Sequence, residues 1–383
     1  MKRLLGIFCC VIVCLGLLPL QTRAVDLNVP AKSALLIDVA TGTVLYEHNA
    51  QEALPPASVT KVMTMLLIME AIDGQKISWD DTVTASETAA AKGGSQVYLK
   101  AGETMTVTDM LKAIAVSSAN DCACAMAEHL AGSESAFVDA MNARAKELGM
   151  ENTHFVNCTG LDDDPEAKSH LTSARDIALM SRELLKNHPD IKKFTTIWMD
   201  TLRGGTFGLS NTNKMVRFYT GCTGLKTGFT STAGYCLSAS AQRDGMELVA
   251  VVMGCESSKE RFAACKSMLD YGFANFAVVS PEIGQELSVP VKLGKADAVA
   301  AVPSEECTLL VDKSQRSSVH VKTELQESVT APVSHGQLLG TLTISVGEQV
   351  LKQIPLVAKT GVEKLSFGDV FMRLMKAVST ANP

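Results

Sequence analysis

The 383-residue chain contains no internal repeat and no low-complexity tract, so neither a repeat array nor an extended disordered scaffold is expected. Basic residues are not in excess. The balance of 35 Lys and Arg against 41 Asp and Glu leaves a net charge of −6, which argues against a nucleic-acid partner. Cysteine is thin as well. Of eleven cysteines, Cys9, Cys10 and Cys14 lie in the first 24 residues, and the eight that follow are too few for a disulfide-stapled scaffold. Cys122 and Cys124 have neither a second closely spaced cysteine pair nor a histidine cluster to complete a zinc site. Most of these thiols read as small buried residues, while a bond between Cys222 and Cys236 across a hairpin stays open. A long apolar run occurs at the N terminus, where Lys2 and Arg3 precede Leu4 to Leu20 and Thr22-Arg23-Ala24 offers a cleavage site. The run is short for a membrane span, so residues 1–24 are expected to be a secretory signal peptide and the mature chain to be exported. Cys14 is followed by further apolar residues, unlike a lipoprotein attachment cysteine.

About 360 residues remain, enough for one large domain and a smaller one. Residues 33–48 predict two short strands around Ala40-Thr-Gly-Thr43, and residues 58–73 predict a helix with Ser58 at or near its N-cap. Helical periodicity covers 107–131, broken at Ser117-Ser-Ala-Asn-Asp121, and returns at 134–148 and 173–187. Lys226-Thr-Gly-Phe-Thr230, Tyr235 to Gln242 and Met246 to Gly254 read as antiparallel strands, the last two joined by an Asp-Gly turn. A helix from about Glu260 to Phe276 closes this unit. From Pro281 the pattern changes to short alternating runs over 285–357, for example Thr308 to Val311, Ser318 to Val321 and Leu338 to Ile344, which predicts a small all-β domain. Ser366 to Pro383 is again helical in period, with Phe367, Val370, Phe371, Leu374 and Val378 on one stripe and Arg373 and Lys376 off it. The expected division is residues 25–278, 281–360 and 366–383.

Ser58-Val-Thr-Lys61 is the one Ser-x-x-Lys in the chain. A serine hydroxyl is a poor nucleophile until a base takes its proton, and a lysine amine can do so when burial or a neighbouring cation lowers its pKa. A spacing of three puts both side chains on one helix face. Ser118-Ala-Asn120 lies between helical segments, where a loop presents a hydroxyl and an amide to a cleft. Lys226-Thr227-Gly228 opens a strand; a cation and a hydroxyl there can hold a carboxylate, and glycine lets a substrate backbone come close. Each motif alone is common. In this order they are specific.

With that motif set, the chain resembles the penicillin-recognising serine acyltransferases, and most of all the low-molecular-mass penicillin-binding proteins that are D-alanyl-D-alanine carboxypeptidases. The likeness runs through Pro-Pro-Ala-Ser58, Thr159-Gly-Leu161, His170-Leu-Thr-Ser-Ala-Arg-Asp176, Lys226-Thr-Gly-Phe-Thr230 and Ala233-Gly-Tyr235, then the small β domain and the terminal helix. It implies an α+β catalytic domain, with an antiparallel sheet flanked by helices and the cleft between the Ser58 helix and the Lys226 strand. It also implies roles. Ser58 would be the nucleophile that forms an acyl-enzyme, Lys61 its general base, and Ser118 the proton relay to the leaving amine. Asn120 would bind the substrate amide and help position Lys61, while Lys226 and Thr227 bind the terminal carboxylate with help from Arg261. Gly228 would admit the substrate, and backbone N–H groups of Ser58 and Phe229 would hold the oxyanion. The substrate would be the peptidoglycan stem pentapeptide, the inhibitors β-lactams, and the location the outer face of the cytoplasmic membrane, with the terminal helix on the membrane surface. No metal or organic cofactor is expected.

Phe229 departs from the histidine that many such carboxypeptidases carry there, which leaves the backbone donor intact but puts pH dependence and substrate preference at issue. A β-lactamase is a rival, with Glu166 superficially placed as a deacylating base, but the Leu-Asn that should follow is absent. An endopeptidase acting on peptide crosslinks would use the same residues. An idle wall-binding scaffold would have lost Ser58 or Lys61, and both are present. Lys359-Thr360-Gly361 repeats the third motif but lacks a following hairpin and reads as structural.

Overall fold

Alternation in the central strands sets the architecture. Met246–Cys255 is buried at nearly every position, and its side chains divide between two cores. Val249, Val251 and Met253 join a large helical cluster, while Leu248, Ala250 and Val252 join a second cluster on the opposite face. A strand apolar on both faces has to lie between layers. It does so here, in a five-stranded antiparallel sheet ordered Val44–His48, Ser33–Asp38, Met246–Cys255, Gly234–Arg243, Cys222–Thr230. The computed structural model describes residues 27–163, 165–281 and 287–380, so the expected signal peptide lies outside the described residues.

Against the first face pack Lys61–Asp73, Val107–Ser117, Asn120–Ala131 and Ala174–Asn187, and against the second Ser258–Asn275. Lys61–Asp73 is apolar nearly all round and correspondingly buried, as a central helix must be. The surrounding helices start on side-chain caps. Thr106, Ser133 and Ser173 each accept a hydrogen bond from the backbone N–H three residues on, and Ser257 with Glu260 forms a capping box. The break expected near residues 117–121 is sharp. Ser118 ends one helix in a left-handed conformation (φ 65°, ψ 29°), and Asn120 begins the next.

Two expectations change. Ser58 lies near the N-cap of the helix, as expected, but is not the cap itself: it sits inside a 3-10 turn, Ala57–Thr60, that feeds the helix, and makes no capping hydrogen bond. The strand register also keeps Cys222 and Cys236 apart, because Cys222 faces Ala241 and Cys236 faces Gly228. Both are free thiols.

The C-terminal region is all-β. Its six-stranded sheet runs Val319–Leu325, Leu338–Val346, Gln349–Ala358, Ala298–Pro303, Ser288–Lys292, Val329–Thr330 around Val289, Leu342, Ile344, Ile354 and Leu356. The Thr308 to Val311 run departs from it. Leu309–Asp312 pairs with Phe276–Val279, and Leu310 packs into the second cluster, beneath the five-stranded sheet. The terminal helix, Phe367–Thr380, leaves Phe367, Phe371, Leu374 and Met375 exposed. Off that stripe, Arg373 donates to the carbonyls of Gly294 and Lys295 and pairs with Asp297. The side chain of Val378 lies outside the described residues.

Candidate active site

The turn Ala57–Thr60 presents Ser58 half-exposed above a fully buried Lys61. Lys61 Nζ donates to Ser58 Oγ at 3.0 Å and to the carbonyl of Thr159 at 2.8 Å. Burial disfavours the ammonium and outweighs the pull of Cys158 and Asp121, so the Lys61 pKa falls from 10.5 to about 7. An amine with a pKa near 7 is partly neutral at that pH, and bonded to a hydroxyl it can serve as a general base.

The Lys-Thr-Gly strand is an edge strand of the sheet and passes beside this turn. A Cβ added at Gly228 would stand 2.6 Å from the Pro56 carbonyl oxygen and 3.1 Å from Ser58 N, so glycine is required by the approach. Lys226 is buried, and its Nζ donates to the Thr227 carbonyl at 2.8 Å. Burial, then the nearby Lys61 and Arg261, hold its pKa well below the ordinary lysine value. The pocket is thus short of negative charge, and an arriving carboxylate would supply it. Thr227 Oγ1 donates to Thr212 Oγ1 at 2.7 Å. Phe229, on the same strand, is 53% exposed, and its ring lies 4.3 Å from that of Tyr235.

Asn120 sits at the start of its helix. Its amide donates to Gly93 O at 2.7 Å, its backbone N–H donates to Ser95 O at 2.7 Å, and its buried Oδ1 has no partner. An unmade buried acceptor is costly and points to a missing donor. Next to it, fully buried Asp121 accepts from the N–H groups of Val97, Leu99 and Cys122 and so fixes the loop. Ser118 is buried, and among the described residues no hydrogen bond joins it to Ser58 or Lys61. Arg261 does not hang free over the cleft. Its guanidinium donates to Gly228 O at 2.9 Å and Cys236 O at 3.4 Å and stacks over the Tyr235 and Phe262 rings.

Ser58, Lys61, Lys226, Thr227, Gly228 and Arg261 are therefore one connected cluster. Lys359-Thr360-Gly361 is exposed, outside it, beyond the strand Gln349–Ala358. Sequence reasoning missed Thr159 as acceptor for Lys61, and Thr212, which two buried asparagines hold in place. Asn211 donates to Ile197 O, and Asn213 donates to Gly224 O. The Asn-x-Asn spacing was the available signal.

The model of the D-alanyl-D-alanine carboxypeptidase family, peptidase S11, matches residues 20–257, and that of the penicillin-binding protein 5 C-terminal domain matches residues 282–364. The chain is 44% identical over 359 residues to the D-alanyl-D-alanine carboxypeptidase DacF of Bacillus subtilis, covering 92% of this chain and 91% of that one. Penicillin-binding protein 5 of Haemophilus influenzae superposes with a TM-score of 0.75 at 30% identity, covering 88% of this chain and 98% of that one. Penicillin-binding protein D2 of Listeria monocytogenes, in its ampicillin-bound form, gives a TM-score of 0.59 at 33% identity over 65% of this chain and 100% of that one. The chain belongs to the peptidase S11 family of serine-type D-alanyl-D-alanine carboxypeptidases.

Proposed function

We propose that this protein removes the terminal D-alanine from peptidoglycan stem pentapeptides through an acyl-enzyme on Ser58. The observation that carries the reading is the buried Lys61 amine, 3.0 Å from Ser58 Oγ and with its pKa lowered to about 7. Neutral Lys61 takes the hydroxyl proton as Oγ attacks the carbonyl between the two D-alanines. Backbone N–H groups of Ser58 and Phe229 hold the oxyanion, a device that supplies about 3–4 kcal/mol per donor in a comparable hydrolase. As the C–N bond breaks, the proton taken by Lys61 passes through the Ser118 hydroxyl to the leaving amine; water then gives its hydroxyl to the acyl carbon and its other proton to Ser58 Oγ, releasing the shortened peptide. Asn120 Oδ1 takes a substrate amide N–H. The terminal carboxylate meets Lys226 and Thr227, while Arg261 braces the strand through Gly228 O and adds positive potential. The free edge of Cys222–Thr230 lets the extended substrate add as a further strand.

β-Lactams acylate the same serine in this account, in keeping with the ampicillin-bound relative. Glu166 is exposed on the turn Pro165–Ser169, and nothing in that arrangement favours a β-lactamase. Incubation with a stem pentapeptide should release free D-alanine and leave the tetrapeptide, and Ser58→Ala should abolish both. Cleavage of crosslinked dimers with no D-alanine release would instead establish an endopeptidase.

The protein acts in the cell-wall space, held to the outer face of the cytoplasmic membrane by its terminal helix. Among the described residues no helix is long and apolar enough to cross a membrane. The helix does have an uncovered apolar stripe, with Phe367 89% exposed, and its Arg373 turned to the β domain. A chain ending at Gly361 should lose its binding to lipid vesicles and keep its peptidase rate. Undiminished sedimentation of the shortened chain with vesicles would refute the anchor.

A further inference from the structure

We propose that His170 is a positioning residue for acylation, pinning the Ser58 turn to the segment that holds Lys61. The inference rests on the Ser58–Lys61 reading above. His170 is buried in the fold and reaches both sides of the nucleophile's support. Its Nδ1 accepts the Val156 N–H at 3.1 Å, so the neutral ring carries its proton on Nε2. Nε2 lies 2.8 Å from Thr60 Oγ1 and donates to it, and Thr60 in turn donates to the Ala57 carbonyl at 2.8 Å. Ala57 is the residue before Ser58 and has a φ of +48°, a left-handed backbone that a non-glycine residue adopts only when its surroundings enforce it. The relay from His170 through Thr60 grips that strained peptide by its carbonyl.

The other arm holds the base. Val156 opens the run to Leu161, in which Thr159 O receives Lys61 Nζ at 2.8 Å. Gly160 presses on the turn itself, since a Cβ there would come 1.9 Å from Ala57 O. Asn157 stiffens the run by accepting from the N–H groups of Thr159 and Gly160. One imidazole therefore spans the nucleophile's turn and the base's acceptor. The arrangement requires a neutral ring, because a proton on Nδ1 would confront the Val156 N–H. Burial, helped by His154 and Lys61, lowers its pKa to about 4 and keeps it neutral. Lys61 itself is faced by Cys158, Asp121 and Lys226 as well as His170.

The test compares Thr60→Val, Thr60→Ser and His170→Asn with the unaltered protein. Asparagine keeps an acceptor for Val156 but cannot reach Thr60. Acylation by benzylpenicillin is followed in rapid mixing from about pH 5 to 10, with non-covalent affinity and melting temperature measured alongside. The limiting acylation rate should fall about ten- to a hundredfold in Thr60→Val and His170→Asn, as expected for displaced reacting groups, with initial penicillin affinity unchanged. The pH midpoint of the Lys61 limb should rise toward the ordinary lysine value as its enclosure loosens, and Thr60→Ser should behave as the unaltered protein. Unchanged rates and midpoint in folded Thr60→Val would overturn the proposal, even with a lowered melting temperature. If His170→Asn does not fold, the Thr60 pair decides alone. Failure of the unaltered protein to acylate would instead overturn the Ser58–Lys61 reading beneath it.

Discussion

Lys61→Met should cut the rate of Ser58 acylation by about 10²- to 10⁴-fold, the usual range for a lost general base. Methionine fills the buried volume without an amine, so the fold survives and the loss is chemical. The same change should make the protein more stable near neutral pH. Lys61 has a pKa of about 7 in the fold against 10.5 when unperturbed. At pH below 7 both states hold the proton and burial of the ammonium costs its full amount, a few kcal/mol, roughly. Between 7 and 10.5 the unfolded chain binds more protons than the native one, so native stability rises with pH. Above both values the cost is gone. Denaturant titrations from about pH 6 to 10 should show this rise in the unaltered protein and a smaller one in Lys61→Met, where buried Lys226, its own pKa held low, still contributes. Acylation by the variant within tenfold of normal would contradict the assigned base.

Gly228→Ala should lower kcat/KM by about 10²-fold or more, the scale of a misplaced oxyanion donor. The added methyl would meet Pro56 O at 2.6 Å and Ser58 N at 3.1 Å, both backbone atoms of the nucleophile's own turn. A flexible side chain cannot yield there, so the turn or the strand has to move. Overpacking of this kind costs about 1–3 kcal/mol, which the melting temperature would report separately. Normal turnover in Gly228→Ala would mean that the gap between strand and turn is wider in solution than the geometry allows.

Short-range features were legible because local chemistry fixes them. The Asp244-Gly245 hairpin turn and the antiparallel strands on either side of it follow from spacing and residue type. So did the three motifs, whose reactive groups need only three or four residues each. Long-range partners were not legible. Thr159 lies 98 residues from Lys61, and His170 lies 110 from Thr60, and no periodicity announces such pairs. The 3-10 turn at Ser58 was hidden as well, because serine before an apolar helix satisfies the N-cap pattern equally well. The Leu309–Asp312 strand carries the same alternation as its neighbours, and its pairing with Phe276–Val279 is decided by Leu310 finding the catalytic-domain core. Register, not composition, separates Cys222 from Cys236.

The central claim is that Ser58 is the nucleophile that forms a covalent acyl-enzyme, and intact mass after incubation with benzylpenicillin, whose acyl group should leave slowly, tests it most directly. The account predicts one benzylpenicilloyl group on the unaltered protein and none on Ser58→Ala. An adduct that persists in Ser58→Ala, or an unmodified protein with penicillin either intact or consumed, would contradict it.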